Sequence, residues 1–300
     1  MTLKSALIIG GRGYLGRGLV HALKNILNVQ VHIVDHPETL FDLTVEDLHG
    51  YDSVINLAVH ADTVVSPGLS HKSQSWRVTV EGTSFLIDLC EDANVPLIHF
   101  STREVHAATL RLEDVVEVDG LFRPMILIPE EMPFRPVSAY GRSKLIAEWL
   151  CAASPTGNVV RLGTPYSDEM PNEGGGLVAS IIRQAVRNGK VVLHGGGKQF
   201  RDPVHVEDLA RLAVLIADSR PKESVFNASF GGENLISLRE LALLANSEVK
   251  IETQIGGDFG FAMDNSLVEK VLGWKPQVLI RDRIPSYAQS FAEKSSQQGM

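Results

Sequence analysis

Seven residues near the start of this 300-residue chain, Gly10-Gly11-Arg12-Gly13-Tyr14-Leu15-Gly16, constrain its fold more than any other stretch. They separate an apolar run, Ala6 to Gly10, from a segment Tyr14 to Leu27 in which Leu15, Leu19, Leu23 and Leu27 recur at every fourth position. The run reads as a buried strand and the segment as a helix with one apolar face. Glycines between them let the backbone turn sharply and leave room for a ligand against the main chain. The helix N-terminus then offers unpaired N–H groups and the positive end of its dipole, which suits a pyrophosphate. Glycines alone often mark only a turn. Here Asp35 also ends the next apolar run, about 20 residues after Gly16, where a carboxylate reaches ribose hydroxyls. That carboxylate repels a 2′-phosphate and favours NAD over NADP, while Arg12 leaves the second cofactor open.

Along the chain, short apolar runs alternate with longer amphipathic ones. Val31–Asp35, Ser53–Ala58, Pro96–Ser101, Asn158–Gly163 and Val225–Ser229 read as strands. Tyr14–Leu27, Thr79–Cys90, Ser138–Cys151 and Leu177–Asn188 read as helices, and Ser237-Leu238-Arg239-Glu240 as a capping box that opens another. This order predicts an α/β fold, a Rossmann-type doubly wound parallel sheet with a smaller, less regular C-terminal part. The expected division is a dinucleotide-binding domain over 1–163, to which the chain returns near 204–229, and a mainly substrate-binding part over 164–300. Formal charge is −8, which disfavours a broad grip on nucleic acid or anionic lipid. No apolar run approaches the ~20 residues that span a bilayer. Cys90 and Cys151 sit inside apolar helical segments, without disulfide or zinc spacing. A cytoplasmic location follows as the expectation. The ten histidines are scattered, and no metal site is expected.

Tyr140 and Lys144 are four residues apart, on one face of the predicted helix Ser138–Cys151. An ammonium near a phenol favours the phenolate, so Lys144 is expected to pull Tyr140 below its ordinary pKa of ~10 and make it a base near neutral pH. The fourth strand ends in Ser101-Thr102-Arg103-Glu104, at the edge of a parallel sheet where ligands bind. Thr102 would then share a crevice with Tyr140.

With these motifs in place, the chain resembles the extended short-chain dehydrogenases/reductases, in particular the NAD-dependent nucleotide-sugar epimerases, dehydratases and decarboxylases. The likeness runs almost end to end. It rests on the glycine loop, Phe41-Asp42-Leu43, Asn56-Leu57-Ala58, Val80-Glu81-Gly82-Thr83, Ser101 to Val105, and Pro136 to Lys144. Gln199 to Asp208 and Leu272-Gly273-Trp274-Lys275-Pro276 extend it into the C-terminal part. The resemblance implies a cofactor site formed by Gly10, Gly13, Tyr14, Leu15, Gly16, Asp35, Asp42, Leu43, Leu57, Ala58, Tyr140 and Lys144. It implies catalysis by Tyr140, Thr102, Lys144 and Glu104. Tyr140 takes the proton of a sugar hydroxyl, usually at C4, as hydride passes from that carbon to nicotinamide. Thr102 orients the hydroxyl and Lys144 holds the nicotinamide ribose. Substrate residues implied are Thr102, Arg103, Thr164 and Arg201, the last on the pyrophosphate of a nucleoside-diphosphate sugar. A homodimer paired through the Tyr140 helix, in which Trp149 and Leu150 lie, is the implied assembly.

Dehydratases of this kind carry an Asp-Glu pair after the Thr. This chain has Arg103-Glu104, so the acid partner is missing. Glu104 is assigned to chemistry at C5, and Arg103 either faces a substrate carboxylate or points to solvent. Thr79, His106 and Thr164 also depart from the family's pattern, and the changes gather around the sugar nucleotide. Epimerisation, decarboxylation and dehydration stay open. So do two other readings: an NAD(P)-dependent carbonyl reductase, and a dinucleotide-binding regulator without catalysis.

Overall fold

The computed structural model describes residues 3–34, 40–60, 69–106, 111–168 and 175–298, with side chains to residue 293. Asp35, assigned to the adenosine ribose, lies outside the described residues. Six strands form the central sheet: β1 (Ser5–Ile9), β2 (Gln30–Val34), β3 (Ser53–Asn56), β4 (Leu97–Thr102), β5 (Gly157–Leu162) and β6 (Val225–Ala228). Their spatial order is β6-β5-β4-β3-β1-β2, and every neighbouring pair is parallel. Strands β3, β4 and β5 are buried throughout, as expected of a parallel sheet covered on both faces. The sheet is the α/β architecture expected from the alternation of runs. Strand order reverses between β1 and β3, which opens a crevice beyond their C-terminal ends.

Helices cover both faces. On one side lie α1 (Tyr14–His21), extended by a wider π-type turn over Ala22–Ile26, and the helix Val206–Ser219. Leu19, Leu23, Leu209, Leu212 and Ile216 meet Ile8, Ile98 and Phe226 there. On the other side lie α2 (Gly82–Ala93) and α3 (Ala139–Ala153), where Leu86, Leu89, Cys90 and Cys151 meet Leu7, Val54 and Leu97. Both cysteines are free and buried. A separate apolar core joins helices Gly176–Asn188, Leu238–Ala245 and Ile280–Gln298 around Val191 and Leu193. Val268 and Trp274, from the C-terminal stretch, pack instead into the α1 face of the sheet. The indole N–H of Trp274 donates to the carbonyl of Asp208 at 3.0 Å, which fixes that return.

Two acidic residues of the Gln199–Asp208 stretch tie the parts together. Buried Asp202 accepts from Ser229 Oγ (2.7 Å) and from the N–H groups of Phe230, Gly232 and Asn234. Asp208 accepts from the N–H groups of Gln277 and Val278. These carboxylates hold loops in place around buried Arg201, which lies in the same segment.

Candidate active site

The glycine loop needs its glycines for geometric reasons. Gly10 has φ +84°, and a Cβ on it would sit 3.0 Å from the backbone nitrogen of Ala58. A Cβ on Gly16 would lie 2.2 Å from the carbonyl oxygen of Gly10, which is impossible without moving the loop. The first turn of α1 has no acidic residue and no side-chain cap, so its amides are open to an anion. Beside them is a cavity of about 450 Å³ lined by Gly10, Arg12, Gly13, Leu40, Leu57 and Ala58. An anion-binding helix end, an apolar wall and close backbone approach are what a dinucleotide requires, so the residues fit NAD.

Not every assigned residue points there. The Tyr14 hydroxyl donates to the carbonyl of Ser167 (3.1 Å) and accepts from its N–H (3.0 Å). Only its backbone is left for the cofactor. Leu15 packs into the α1 core, and Leu43 against the α2 core. Asp42 is exposed next to them.

The second half of the site forms where α3 meets the end of β4. Ser138 caps α3, its hydroxyl accepting from the N–H of Gly141 at 3.0 Å. Gly141 lies against the chain at Glu104: a Cβ there would be 2.8 Å from the Glu104 carbonyl oxygen. That contact brings Tyr140 to Thr102, and the two side chains are hydrogen-bonded. One turn on, Lys144 is 2% exposed and donates to the Phe100 carbonyl oxygen at 2.8 Å. Thr102 Oγ also accepts from the N–H of Glu104 at 3.2 Å. Tyr140, Thr102, Lys144 and Glu104 thus converge on one strand end.

The expected acidification of Tyr140 does not appear. Burial pushes its phenol up to about 12, against a downward pull from the Thr102 hydrogen bond; the Glu104 charge adds to the rise. Burial also brings Lys144 down to about 8, with Glu148 opposing. The reason is desolvation of the phenol itself, while the Lys144 ammonium is turned onto the Phe100 carbonyl.

Arg103 turns inward, which removes the solvent alternative. Its Nη2 is 2.8 Å from Glu104 Oε1, and its guanidinium carbon is 3.8 Å above the Phe261 ring. Arg201 approaches the same ring at 5.1 Å, donates to the Phe200 carbonyl (2.8 Å) and forks onto Asp258 at 3.0–3.2 Å. Thr164 is buried in a short parallel pair, opposite Pro203, beside the Arg201 segment. His106 is buried, with its ring stacked on Phe134 and its Nδ1 3.3 Å from the Pro133 carbonyl.

A model of the NAD dependent epimerase/dehydratase family matches residues 6–229. The chain belongs to that family. It is 24% identical to a dTDP-glucose 4,6-dehydratase of Mycolicibacterium smegmatis over 305 residues, covering 90% of this chain and 88% of the relative. A UDP-glucose 4-epimerase of Lactobacillus helveticus is also 24% identical, over 319 residues and 90% and 92% of the two chains. Among solved structures, MoeE5 in complex with UDP-glucuronic acid and NAD superposes with a TM-score of 0.73 at 23% identity, over 97% of this chain and 99% of that one. Such a likeness shows a shared fold, and the family is one of NAD-dependent enzymes.

In this NAD-dependent epimerase/dehydratase, two charged groups matter that the sequence reading passed over. Glu148, one turn past Lys144 on the buried face of α3, takes bonds from Arg161 Nε (3.0 and 3.1 Å) and Nη2 (3.0 Å). Tyr140, Lys144 and Glu148 at successive four-residue steps were the available signal. Trp149, by contrast, is 56% exposed and Leu150 38%, so α3 buries the charged Lys144 and Glu148 and leaves two large apolar side chains outside. Asp258 lies in the least regular part of the chain, and nothing in its local pattern marks it. Elsewhere, Asp168, His205 and Glu207 bring three metal-capable atoms within 4.8 Å of one another, a grouping that no sequence spacing reveals. Arg283 already bonds both carboxylates and supplies their countercharge.

Proposed function

We propose that this enzyme oxidises a hydroxyl of a nucleoside-diphosphate sugar, with Tyr140 in its phenolate form receiving the hydroxyl proton and Thr102 orienting the same oxygen. The observation that carries it is the junction of Tyr140, Thr102 and buried Lys144 at the end of β4, one strand away from the β1/β3 crevice with its glycine loop. NAD, when bound, supplies the hydride acceptor. The hydrogen bond from Thr102 favours the phenolate of half-buried Tyr140, the form that takes a proton, and Lys144 fixes the floor of the site through Phe100. Exclusion of water there strengthens each of these interactions. Glu104 is the carboxylate available at the neighbouring carbon, and Arg201 the cation for the diphosphate, with Thr164 beside it. In this reading residues 1–163, with the return at 204–229, hold the cofactor, and 164–300 mainly hold the substrate. Asp35 completes the cofactor site as the group that selects NAD over NADP.

Two further features belong to the reading. Trp149 and Leu150 on the outer face of α3 suit pairing with a second copy, a homodimer. Among the described residues no helix is long and apolar enough to cross a membrane, and the two free thiols suit a reducing cytoplasm.

The experiment is product mass analysis with a panel of UDP-, dTDP- and GDP-sugars and NAD. Unchanged mass with an altered sugar means epimerisation, loss of 18 Da dehydration, and loss of 44 Da decarboxylation (~18 and ~44 Da by chemistry). Tyr140→Phe should lower turnover at least ~100-fold, the range of a lost general base. Turnover of a simple carbonyl compound without any nucleotide effect, or NAD binding with no turnover of any sugar, would replace this reading by the reductase or the regulator.

A further inference from the structure

Two guanidinium groups are packed around Phe261, and only one of them is fully engaged. Arg201 is bonded to the Phe200 carbonyl and forked onto Asp258. Arg103 is 18% exposed in its side chain and makes one close ion pair, to Glu104 at 2.8 Å; Asp258 is 4.0 Å away. Among the described residues, no hydrogen-bond acceptor meets its Nε or Nη1. Burial costs this cation enough to bring it down to about 10, Arg201 adds repulsion, and Glu104 and Asp258 offset part of the cost. A pair between adjacent, partly exposed side chains such as Arg103–Glu104 contributes little by itself. A guanidinium carries five donors in a planar fork, and those of Arg103 that Glu104 does not meet stay open to the space beside it. The residue therefore looks built for an acceptor that the chain does not itself provide.

Position and shape narrow what that acceptor is. Arg103 directly follows Thr102 and is close enough to Tyr140 for their charges to interact. Beside it is a cavity of about 170 Å³, lined also by His106, Ile128, Asp258, Phe259 and Phe261. The room is small, the walls are largely apolar, and the fork is planar. That combination favours a carboxylate, which accepts two parallel N–H bonds from one guanidinium. Asp258 shows that a carboxylate can be seated between these two arginines. Histidine does not compete as the anion's partner, because burial and the Arg161 charge hold His106 neutral.

We propose that Arg103 binds a carboxylate on the sugar, next to the carbon whose hydroxyl faces Tyr140, so that the substrate class is nucleoside-diphosphate sugar acids. The proposal rests on the nucleotide-sugar reading above, with Arg201 taking the diphosphate and Arg103 the second anion.

The test compares matched ligands on the NAD-loaded enzyme by calorimetry: UDP-glucuronate against UDP-glucose, and the corresponding acid and neutral pairs with dTDP and GDP. At least tenfold tighter binding of the acid is expected for one nucleotide, the size of a charge-assisted hydrogen-bonded pair. In Arg103→Leu the ratio should fall to about one, and Arg103→Lys should retain part of it. The melting temperature and NAD affinity of each variant report whether it is folded. Equal affinity for acid and neutral sugar in the wild type, or an unchanged ratio in folded Arg103→Leu, overturns the proposal and leaves the nucleotide-sugar reading standing. Binding of neither member of any pair defeats both.

Discussion

Lys144 shows how far a single buried group departs from its behaviour in water. Its pKa, lowered by burial to about 8, places loss of the ammonium inside an accessible pH range. Below 8 the group is charged; above 8 it becomes a neutral amine. Turnover that needs the Tyr140 phenolate rises with pH while the phenol is protonated; if the ammonium also serves cofactor and substrate, that rise should flatten above about pH 8. Arginine stays charged throughout, so in Lys144→Arg the rise should continue past pH 8 whatever the absolute rate. A wild-type profile that keeps rising from pH 8 to about 10 would remove the lysine charge from the chemistry. The meeting of Tyr140, Thr102 and Lys144 was legible from spacing, because helix periodicity and strand order together determine which side chains come together. The electrostatics could not. Whether a cation acidifies a phenol depends on how much water each retains, and burial is set by residues distant in sequence, such as Phe100.

At the scale of elements, the approach of α3 to the end of β4 decides the site, and Gly141 controls it. Replacing glycine by alanine inside a helix ordinarily stabilises by about 1 kcal/mol. Here the added methyl would lie 2.8 Å from the Glu104 carbonyl oxygen and 3.2 Å from Pro136 Cβ. The first contact is with backbone, which cannot swing aside as a side chain can. Gly141→Ala is therefore expected to lower the melting temperature, and to lower turnover more than NAD affinity, since it pushes Tyr140 from Thr102 and leaves the glycine loop untouched. A stabilised variant with full turnover would show that the contact relaxes freely. A second element-level constraint is the buried Glu148–Arg161 pair between α3 and β5. Removing one partner leaves the other charged and unpaired, a cost of about 3–5 kcal/mol, whereas removing both together costs less. Thermal melts of Glu148→Leu, Arg161→Leu and the double variant form the cycle that measures this coupling. Strands and helices of the first half were readable in sequence because each alternates a buried run with a one-sided helix. The C-terminal helix Ile280–Gln298 was not, since Pro285 interrupts its pattern and its hydrophobic residues only make sense against the distant helix Gly176–Asn188.

For the molecule as a whole, buried histidines set an acid limit. Burial, then the nearby Lys144 charge, holds His99 well below the ordinary histidine range. Burial, then Arg161, brings His106 to about 4. In the unfolded chain both return to ~6.5. Between roughly pH 6.5 and 4 the unfolded state thus binds more protons than the folded one, and stability must fall as pH falls through that window. The half-buried carboxylate of Asp168 responds lower down. For Asp168, burial opposes the charge, but the nearby His205 ring, 3.5 Å away, and the hydrogen-bonded Arg283 guanidinium overcome it and hold the group at about 2. The stability it contributes is complete above ~4 and disappears only toward pH 2. Acid unfolding should accordingly begin with the histidines, around the sheet and α3, before the Arg283 clasp on the C-terminal helix gives way. Following melting temperature from pH 7 to 4 tests this. His106→Gln should flatten the decline over pH 6.5–4 relative to the wild type, because it removes one of the two groups that must take up a proton. An unchanged slope in that variant would place the acid limit elsewhere.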